Sequence, residues 1–401
     1  MVAATTEIAG ILTDLFVLLL AAKLGDELFK RIGQPALVGE ILAGVLVGPA
    51  VFGLVEPGEA VEVFAELGVV FLLFWVGLET RIGELRDVGG IAARVGLLGV
   101  ALPFAGGLAV GLAITDSTGA AVFVGAALVA TSVGITSAVL LELGVLARRA
   151  SRTILGAAVI DDILAMIVLA VAVGISAEGG IAVGELIVVI ALALGFVAFF
   201  ALGGTAFVRR RPALLHAPRF SESPLLPAVI ICLGLAAFAA NIGLAAIIGA
   251  FLAGLIVAET KEQHPIEEEV APLYAFFPPF FFAFIGMQID LGAFTDPGTL
   301  GILLLVTLVA VATKFVGAWI PARSLGRRDA TFIGLGMVPR GEVGIIIAGI
   351  GATAGVIDDD LFAVVVGMSV LTTLLVPPLL RLAAPVRDDD QDAGRPESVR
   401  P

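Results

Sequence analysis

GAAVIDDILAMIVLA, the stretch Gly156–Ala170, places two adjacent carboxylates inside a run that is otherwise apolar. An aspartate at the centre of a transmembrane helix costs about 2.5–3.5 kcal/mol on insertion scales, so such residues face a protein interior or a water-filled cavity and mark functional sites. The simpler interpretation is that Asp161 and Asp162 break the helix or lie in a loop. Apolar residues flank the pair for about two turns on each side, which favours a carboxylate pair buried in a membrane helix.

The rest of the chain has the composition of a membrane protein. Of its 401 residues, 59% are hydrophobic and only 15% are charged, and apolar runs recur throughout. The pattern predicts an all-α polytopic membrane protein with 13 transmembrane helices. The predicted segments are 8–24, 34–54, 62–79, 89–114, 119–142, 152–175, 181–208, 224–240, 242–259, 271–291, 299–321, 330–353 and 361–384. Only Asn241-Ile242-Gly243 separates the eighth segment from the ninth, so one re-entrant element is the alternative there.

The cationic residues predict the orientation in the membrane. Of the 23 Lys and Arg residues, all except Lys314 and Arg340 fall in odd-numbered loops, at the segment ends beside them, or in the C-terminal tail. By the positive-inside rule, the N-terminus lies outside and the C-terminus is cytoplasmic. We expect a multi-pass protein of the cell (plasma) membrane. The tail, 385–401, has no apolar periodicity and is predicted to be disordered. One cysteine and no phosphate-cradling motif argue against a disulfide framework, a nucleotide site and nucleic-acid binding.

Two parts of the chain resemble each other. VGEILAGVLV at Val38–Val47 matches IGAFLAGLIV at Ile248–Val257 with an offset of 210, and FWVGL at Phe74–Leu78 resembles AFIGM at Ala283–Met287 with an offset of 209. Chance similarity between apolar helices is the alternative. Because an odd number of segments separates the copies, the second copy is inserted upside down. Inverted repeats of this kind are typical of alternating-access transporters.

The same offset aligns the fifth segment with the twelfth, and each contains an interruption. The fifth carries the hydroxyls of Thr131 and Ser132 at mid-span, and the twelfth carries Pro339-Arg340-Gly341-Glu342. These features predict two crossed broken helices, whose backbone carbonyls coordinate ions near the midplane. The alternatives are threonine and serine that bond back within an intact helix, and a simple proline kink.

Lys314 lies deep in the eleventh segment, where a buried ammonium needs a carboxylate partner. Adjacent helical residues project about 100° apart, so one aspartate can face Lys314 while the other faces a cavity. Periodicity does not decide between Asp161 and Asp162. A carboxylate with nearby hydroxyls and carbonyls can bind a dehydrated alkali cation or a proton, but not both together, and this competition is the basis of ion exchange.

The sequence resembles the monovalent cation:proton antiporters, particularly the 13-helix bacterial and archaeal sodium/proton antiporters. The resemblance rests on LVGEILAG (37–44), ELGVVFLLF (66–74), TSVGIT (131–136), the Asp161-Asp162 pair, Lys314, and Arg340-Gly341-Glu342. It implies a homodimer in which a core moves like an elevator against a scaffold. The implied scaffold and dimerisation domain is 1–88 (helices 1–3) and 221–297 (helices 8–10), the core ion-transport domain is 89–177 (helices 4–6) and 298–384 (helices 11–13), and 178–220 is a linker helix.

The resemblance also implies the roles of individual residues. Asp162 would alternate between proton and cation, Asp161 would pair with Lys314 in a proton-coupled salt bridge, and Thr131 and Ser132 would help Asp162 to ligate an alkali cation. Arg340 and Glu342 match a charged motif of the broken helix, for which structural pairing is the favoured role.

The predicted function is therefore antiport of sodium or lithium against protons, by a transporter and not an enzyme, without cofactor or nucleotide. The Asp-Asp form resembles the electrogenic members, which exchange more protons than sodium ions per cycle. Potassium/proton antiport by the same site is the alternative. A sodium-coupled organic anion symporter and a cation channel are alternatives of another class.

Overall fold

The computed structural model describes residues 2–80, 82–176, 191–192, 195–204, 225–258, 266–289 and 291–384. Within these ranges the fold is helical, as the apolar runs predict, and no strand occurs. The α-helices are α1 Val2–Arg31, α2 Ala36–Val47, α3 Glu59–Leu78, α4 Ile82–Ile114, α5 Thr118–Ala127, α6 Val133–Glu142, α7 Arg149–Ser176, α8 Leu225–Asn241, α9 Ala246–Ala258, α10 Ile266–Phe276, α11 Pro278–Met287, α12 Pro297–Ala322, α13 Arg327–Gly336, α14 Glu342–Thr353 and α15 Asp359–Ala383.

Seven helices in the described ranges are long and apolar enough to cross a membrane, with α10 and α11 counted as one span. Shorter apolar helices, including α2, α5, α6, α8, α9 and α14, fill in the bundle. Between the eighth and ninth predicted segments the chain makes a turn, with Gly243 at φ +81°, so two helices form there. The total of 13 segments stays a prediction. The linker helix predicted at 178–220 lies outside the described residues apart from 191–192 and 195–204, and so does the tail.

The internal repeat seen in the sequence reappears in the close contacts between helices. Gly44 of α2 lies against the backbone of Ala283 in α11, and Gly254 of α9 lies against the backbone of Phe74 in α3. Gly254 follows Gly44 by 210 residues, and Ala283 follows Phe74 by 209. A β-carbon at either glycine would overlap the facing carbonyl oxygen, so glycine permits this close approach. Positions that match in sequence therefore make equivalent contacts. In each contact, a glycine of one repeat packs against the backbone of the other repeat.

The helices pack in two sets. In one set, α2 packs on α1 and α11, and α3 packs between α9 and α11. In the other, α4 packs along α7, α5 and α12, and α15 packs against α12, α13 and α14. The assignment of these sets to a scaffold and a mobile core stays a prediction.

Aspartate caps fix where two of the membrane helices begin. Asp296 accepts a hydrogen bond from the amide of Thr299 at 2.8 Å at the start of α12, and Asp358 accepts one from the amide of Leu361 at 2.9 Å at the start of α15. A carboxylate at a helix N-terminus pairs with otherwise unsatisfied N–H groups and with the positive end of the helix dipole. Both caps lie in predicted outer loops, so they mark the outer ends of these two apolar spans.

Candidate functional site

The two interrupted segments meet each other at their breaks. The first break lies between α5 and α6, and the second lies between α13 and α14. The amide of Ser132 donates to the carbonyl of Pro339 at 2.8 Å, and the hydroxyl of Thr131 donates to that of Met337 at 3.2 Å. The hydroxyl of Thr136 donates to the carbonyl of Gly336 at 2.7 Å. Carbonyl groups that the end of α13 leaves unsatisfied are thus paired by Thr131, Ser132 and Thr136, which stabilises irregular backbone at membrane depth.

Gly341 is required where the breaks cross. A β-carbon at this position would lie 2.6 Å from the hydroxyl oxygen of Ser132 and 2.7 Å from its β-carbon. Only glycine leaves room for this approach, because both atoms belong to a short side chain that is buried and anchored at the start of α6. The twelfth segment therefore needs a glycine directly after Arg340.

Asp161 lies in the middle of α7, and each of its carboxylate oxygens has a partner. Oδ1 lies 2.6 Å from Nζ of Lys314, and Oδ2 accepts a hydrogen bond from the amide of Thr131 at 3.0 Å. The side chains of Asp161 and Lys314 are both fully buried. One carboxylate thus joins α7 both to α12 and to the first break.

Lys314 makes a second strong contact, with the end of a half-helix. Its Nζ donates to the carbonyl of Val129 at 2.6 Å, just beyond the last residue of α5. Carbonyl groups at a helix C-terminus carry partial negative charge and bind cations favourably. The ammonium therefore has two negative partners, the carboxylate of Asp161 and the end of α5.

Asp162 occupies a different surface of α7. It is buried and borders a small cavity of about 10 Å³, close to the lower limit for one water molecule. The cavity is also lined by Leu73 of α3 and by Ile247 and Phe251 of α9. Asp162 therefore faces the boundary between the two sets of helices, whereas Asp161 faces the interior of its own set.

Arg340 is fully buried in the second break and reaches across to the first. Its guanidinium donates to the carbonyl of Ala130 at 2.8 Å, to that of Val129 at 3.3 Å and to that of Ala310 at 3.4 Å. Arg340 and Lys314 therefore share the Val129 carbonyl. The side chain of Glu342, the other member of the predicted charged motif, lies outside the described part of the chain.

Sequence reasoning missed the threonines that hold Arg340. The amide of Arg340 donates to Oγ1 of Thr372 at 3.1 Å, and the hydroxyl of Thr373 donates to the carbonyl of Arg340 at 2.6 Å. Both threonines lie on α15 and are fully buried. The repeat offset could have indicated Thr372, which lies 210 residues after Asp162, but it does not indicate Thr373.

A second cavity has a volume of about 410 Å³ and lies between α1, α2, α3, α6, α10 and α11. We call it the inner vestibule because it lies beside loops predicted to be cytoplasmic. Its charged lining residues are Lys23, Asp26, Lys30, Glu40, Glu79 and Glu142. The lining has more carboxylates than ammonium groups, which favours cations over anions. Across it, the carboxylate of Glu142 at the end of α6 accepts hydrogen bonds from the amide of Ala36, the first residue of α2, at 3.0 and 3.2 Å.

Residues 15–382 match the family described as sodium/hydrogen exchanger, transmembrane. The chain is 38% identical to the Na⁺/H⁺-K⁺ antiporter GerN of Bacillus cereus, with 94% of this chain and 97% of that protein covered. It is 36% identical to the high-affinity Na⁺/H⁺ antiporter NhaS3 of Synechocystis, with 93% and 90% covered. The solved structure of the sodium proton antiporter MjNhaP1 from Methanocaldococcus jannaschii at pH 8 is similar with a TM-score of 0.69 and 17% identity, covering 94% of this chain and 98% of that one. At that identity, the likeness shows the fold alone.

Proposed function

Because the chain belongs to the sodium/hydrogen exchanger family of transmembrane proteins, we propose that it exchanges sodium or lithium ions for protons across the plasma membrane. The similar proteins are named as cation/proton antiporters, which are transporters and not enzymes. The fold and the buried charges support the same activity.

One observation carries the proposal. A buried carboxylate, that of Asp161, lies 2.6 Å from the buried ammonium of Lys314, close to the point where the two broken helices cross. Such a pair is expensive to bury and is weak evidence for stability, since apolar residues of similar volume are often as stable or more so. Its position beside a second carboxylate and the broken backbone supports a transport role.

In the proposed cycle, Asp162 carries either a proton or the cation. Thr131 and Ser132 supply further oxygen ligands, as the first break brings them to the same level of the bundle as the aspartates. Alkali cations prefer oxygen ligands, and a protonated carboxylate binds them poorly. Cation binding to Asp162 therefore expels its proton, and proton binding expels the cation.

Lys314 provides the additional charge movement of an electrogenic exchanger. When the cation occupies the site, Asp161 turns from Lys314 toward it, and the unpaired ammonium loses its proton to water. When the cation leaves, Lys314 takes up a proton again and re-forms its pair with Asp161. Two protons are then exchanged for each univalent cation, so net charge crosses the membrane.

Alternating access requires the core to move against the scaffold in an elevator motion. The position of Asp162 at the boundary with α3 and α9 supports this, because sliding along that boundary would expose it to either side in turn. The hydrogen bonds from the Ala36 amide to Glu142 join α2, in the predicted scaffold, to α6, in the predicted core. We expect this contact to break when the core moves.

The exposed apolar face of α1 supports a homodimer. Leu12, Phe16, Leu20, Leu24 and Leu28 recur every fourth residue and are each about half exposed or more. Such a stripe along one side of a helix fits lipid or a second helix. We assign this stripe to contact with a second copy of the chain. From the distribution of Lys and Arg, we place the N-terminus outside and the C-terminus in the cytoplasm.

Reconstituted transport tests the function directly. Proteoliposomes with an imposed pH gradient and a pH-sensitive dye inside should lose the gradient when sodium or lithium is added. Proton movement that does not respond to any alkali cation would contradict antiport, and uptake of an organic anion together with sodium would favour the symporter. A conductance far above carrier turnover would indicate a channel.

Potassium/proton exchange is the second candidate. The name of the relative GerN includes potassium, and the proposed ligands are oxygen atoms that can also bind this ion. Sodium, lithium and potassium compared at equal concentration decide between the candidates.

A further inference from the structure

We infer that Thr372 and Thr373 are positioning residues for ion exchange and act through Arg340. The inference rests on the proposed antiport function. It assigns to α15 the task of holding the second break, as α7 holds the first.

The main chain of Arg340 is held on both sides. Thr372 accepts a hydrogen bond from the Arg340 amide at 3.1 Å, and its hydroxyl donates a hydrogen bond to the carbonyl of Ser369 at 2.9 Å, so a lone pair of its oxygen is left to accept. Thr373 donates to the Arg340 carbonyl at 2.6 Å. In the twelfth segment this backbone has left the helix, so the two threonines replace the hydrogen bonds that a helix would supply.

The inverted repeat supports a functional reading of these contacts. In the first break, the amide of Thr131 donates to the side chain of Asp161 at 3.0 Å. In the second, the amide of Arg340 donates to the side chain of Thr372. Arg340 follows Thr131 by 209 residues, and Thr372 follows Asp161 by 211. In both halves a side chain from the middle of a long helix therefore holds an amide of the nearby break, with a carboxylate in one half and a hydroxyl in the other. Arg340 and Thr372 each lie one residue from the strict offset of 210.

Holding the backbone of Arg340 fixes where its guanidinium points. The guanidinium meets the carbonyls of Val129 and Ala130 at the end of α5, and the Val129 carbonyl also binds Lys314. A rotation of the Arg340 backbone would withdraw charge from this end of α5 and change the position of the carbonyl that Lys314 uses. The threonines thus influence the Asp161–Lys314 pair indirectly. They hold Arg340, and Arg340 and Lys314 share the Val129 carbonyl.

Isosteric substitutions test the inference. Thr373→Val removes the donor to the Arg340 carbonyl, and Thr372→Val removes the acceptor for its amide. We expect each to lower the maximal rate of sodium/proton exchange about tenfold, as a buried polar group left unpaired predicts. Thr373→Ser and Thr372→Ser keep the hydroxyl and should restore the rate. Thr153→Val is the matched control, because Thr153 is buried and, among the residues that the structure describes, its hydroxyl donates to the Arg149 carbonyl of its own helix.

A double-mutant cycle separates positioning from a general structural role. In an Arg340→Lys background, which keeps the charge but not the forked donor, Thr373→Val should change the exchange rate less than about twofold, because both changes interrupt the same interaction. If Arg340→Lys abolishes exchange, a binding measurement replaces the rate in the same double-mutant cycle. The quantity compared is then the sodium concentration that gives half of the maximal thermal stabilisation of the protein in detergent. Full additivity of the two changes, or a tenfold loss in Thr153→Val, would overturn the inference. Wild-type protein without cation-dependent proton exchange would contradict the proposed function instead.

Discussion

Separating Lys314 from Asp161 should cost much more stability than separating a similar pair at the surface. Both side chains are fully buried, and Nζ lies 2.6 Å from Oδ1. Lys314→Met keeps most of the volume of the side chain but leaves Asp161, among the described residues, with the Thr131 amide as its hydrogen-bond donor. Removing one partner of a buried ion pair costs about 3–5 kcal/mol, because the other charge stays desolvated. We expect a loss of this size in the free energy of unfolding, measured by denaturation in detergent micelles.

The double variant Asp161→Asn/Lys314→Met provides the sharper measurement. With both charges gone, the protein should be more stable than either single variant, since each single variant leaves one buried charge unpaired and the double variant leaves none. Lys30→Met is the control, because Lys30 lies at the same 2.6 Å from Asp26 but 54% of its side chain is exposed. A pair of that kind contributes about 1 kcal/mol or less. Additive effects at Asp161 and Lys314, or single losses no larger than that of Lys30→Met, would refute the reasoning.

Three further predictions concern the crossing, the vestibule and competition with protons. Gly341→Ala should reduce both stability and exchange, because its β-carbon would lie 2.6 Å from Oγ of Ser132. Gly301→Ala, with open space around the new β-carbon, is the control and should be neutral or slightly stabilising; unfolding and flux measurements on both variants check this. Glu142→Gln should weaken the contact with the Ala36 amide and change the rate of the conformational step, which is visible as altered accessibility of a cysteine placed in the inner vestibule. Unchanged accessibility would show that this contact does not control the movement. The half-saturating sodium concentration should rise as pH falls, by up to about tenfold per pH unit if one proton competes with one cation, and a pH-independent value would rule out simple competition.

The sequence was most informative where charged residues or a proline interrupt an apolar run. Carboxylates at Asp161 and Asp162, an ammonium at Lys314 and a proline-arginine pair in apolar runs all conflict with a membrane helix, so their positions could be identified without a structure. The two helix breaks could also be predicted, because hydroxyls and a proline at equivalent points of a repeat indicate interrupted helices. The glycine contacts between the repeats explain why the repeated motifs contain glycine at fixed positions.

Periodicity could not show which carboxylate meets the lysine. Asp161 and Asp162 point about 100° apart on α7, and only the position of α12 relative to α7 decides between them. The partners of Arg340 were hidden for a different reason. They are backbone carbonyls that become available because α5 ends at Ala127, and backbone groups leave no signal in a sequence. Thr372 and Thr373 resemble ordinary helix threonines that bond within their own helix, so composition alone does not distinguish them.

The measurement that tests the central claim most directly is cation-dependent proton flux in proteoliposomes containing Asp162→Asn. Asparagine keeps the size and the oxygen of the side chain but can neither carry a proton nor supply a negative charge to a cation. Asp116→Asn, at an exposed aspartate between α4 and α5, serves as the matched control. We predict that the wild type and Asp116→Asn exchange sodium or lithium for protons, and that Asp162→Asn, folded and inserted to the same extent, does not. Exchange by Asp162→Asn at the wild-type rate would contradict the assignment of Asp162 as the carrier of proton and cation.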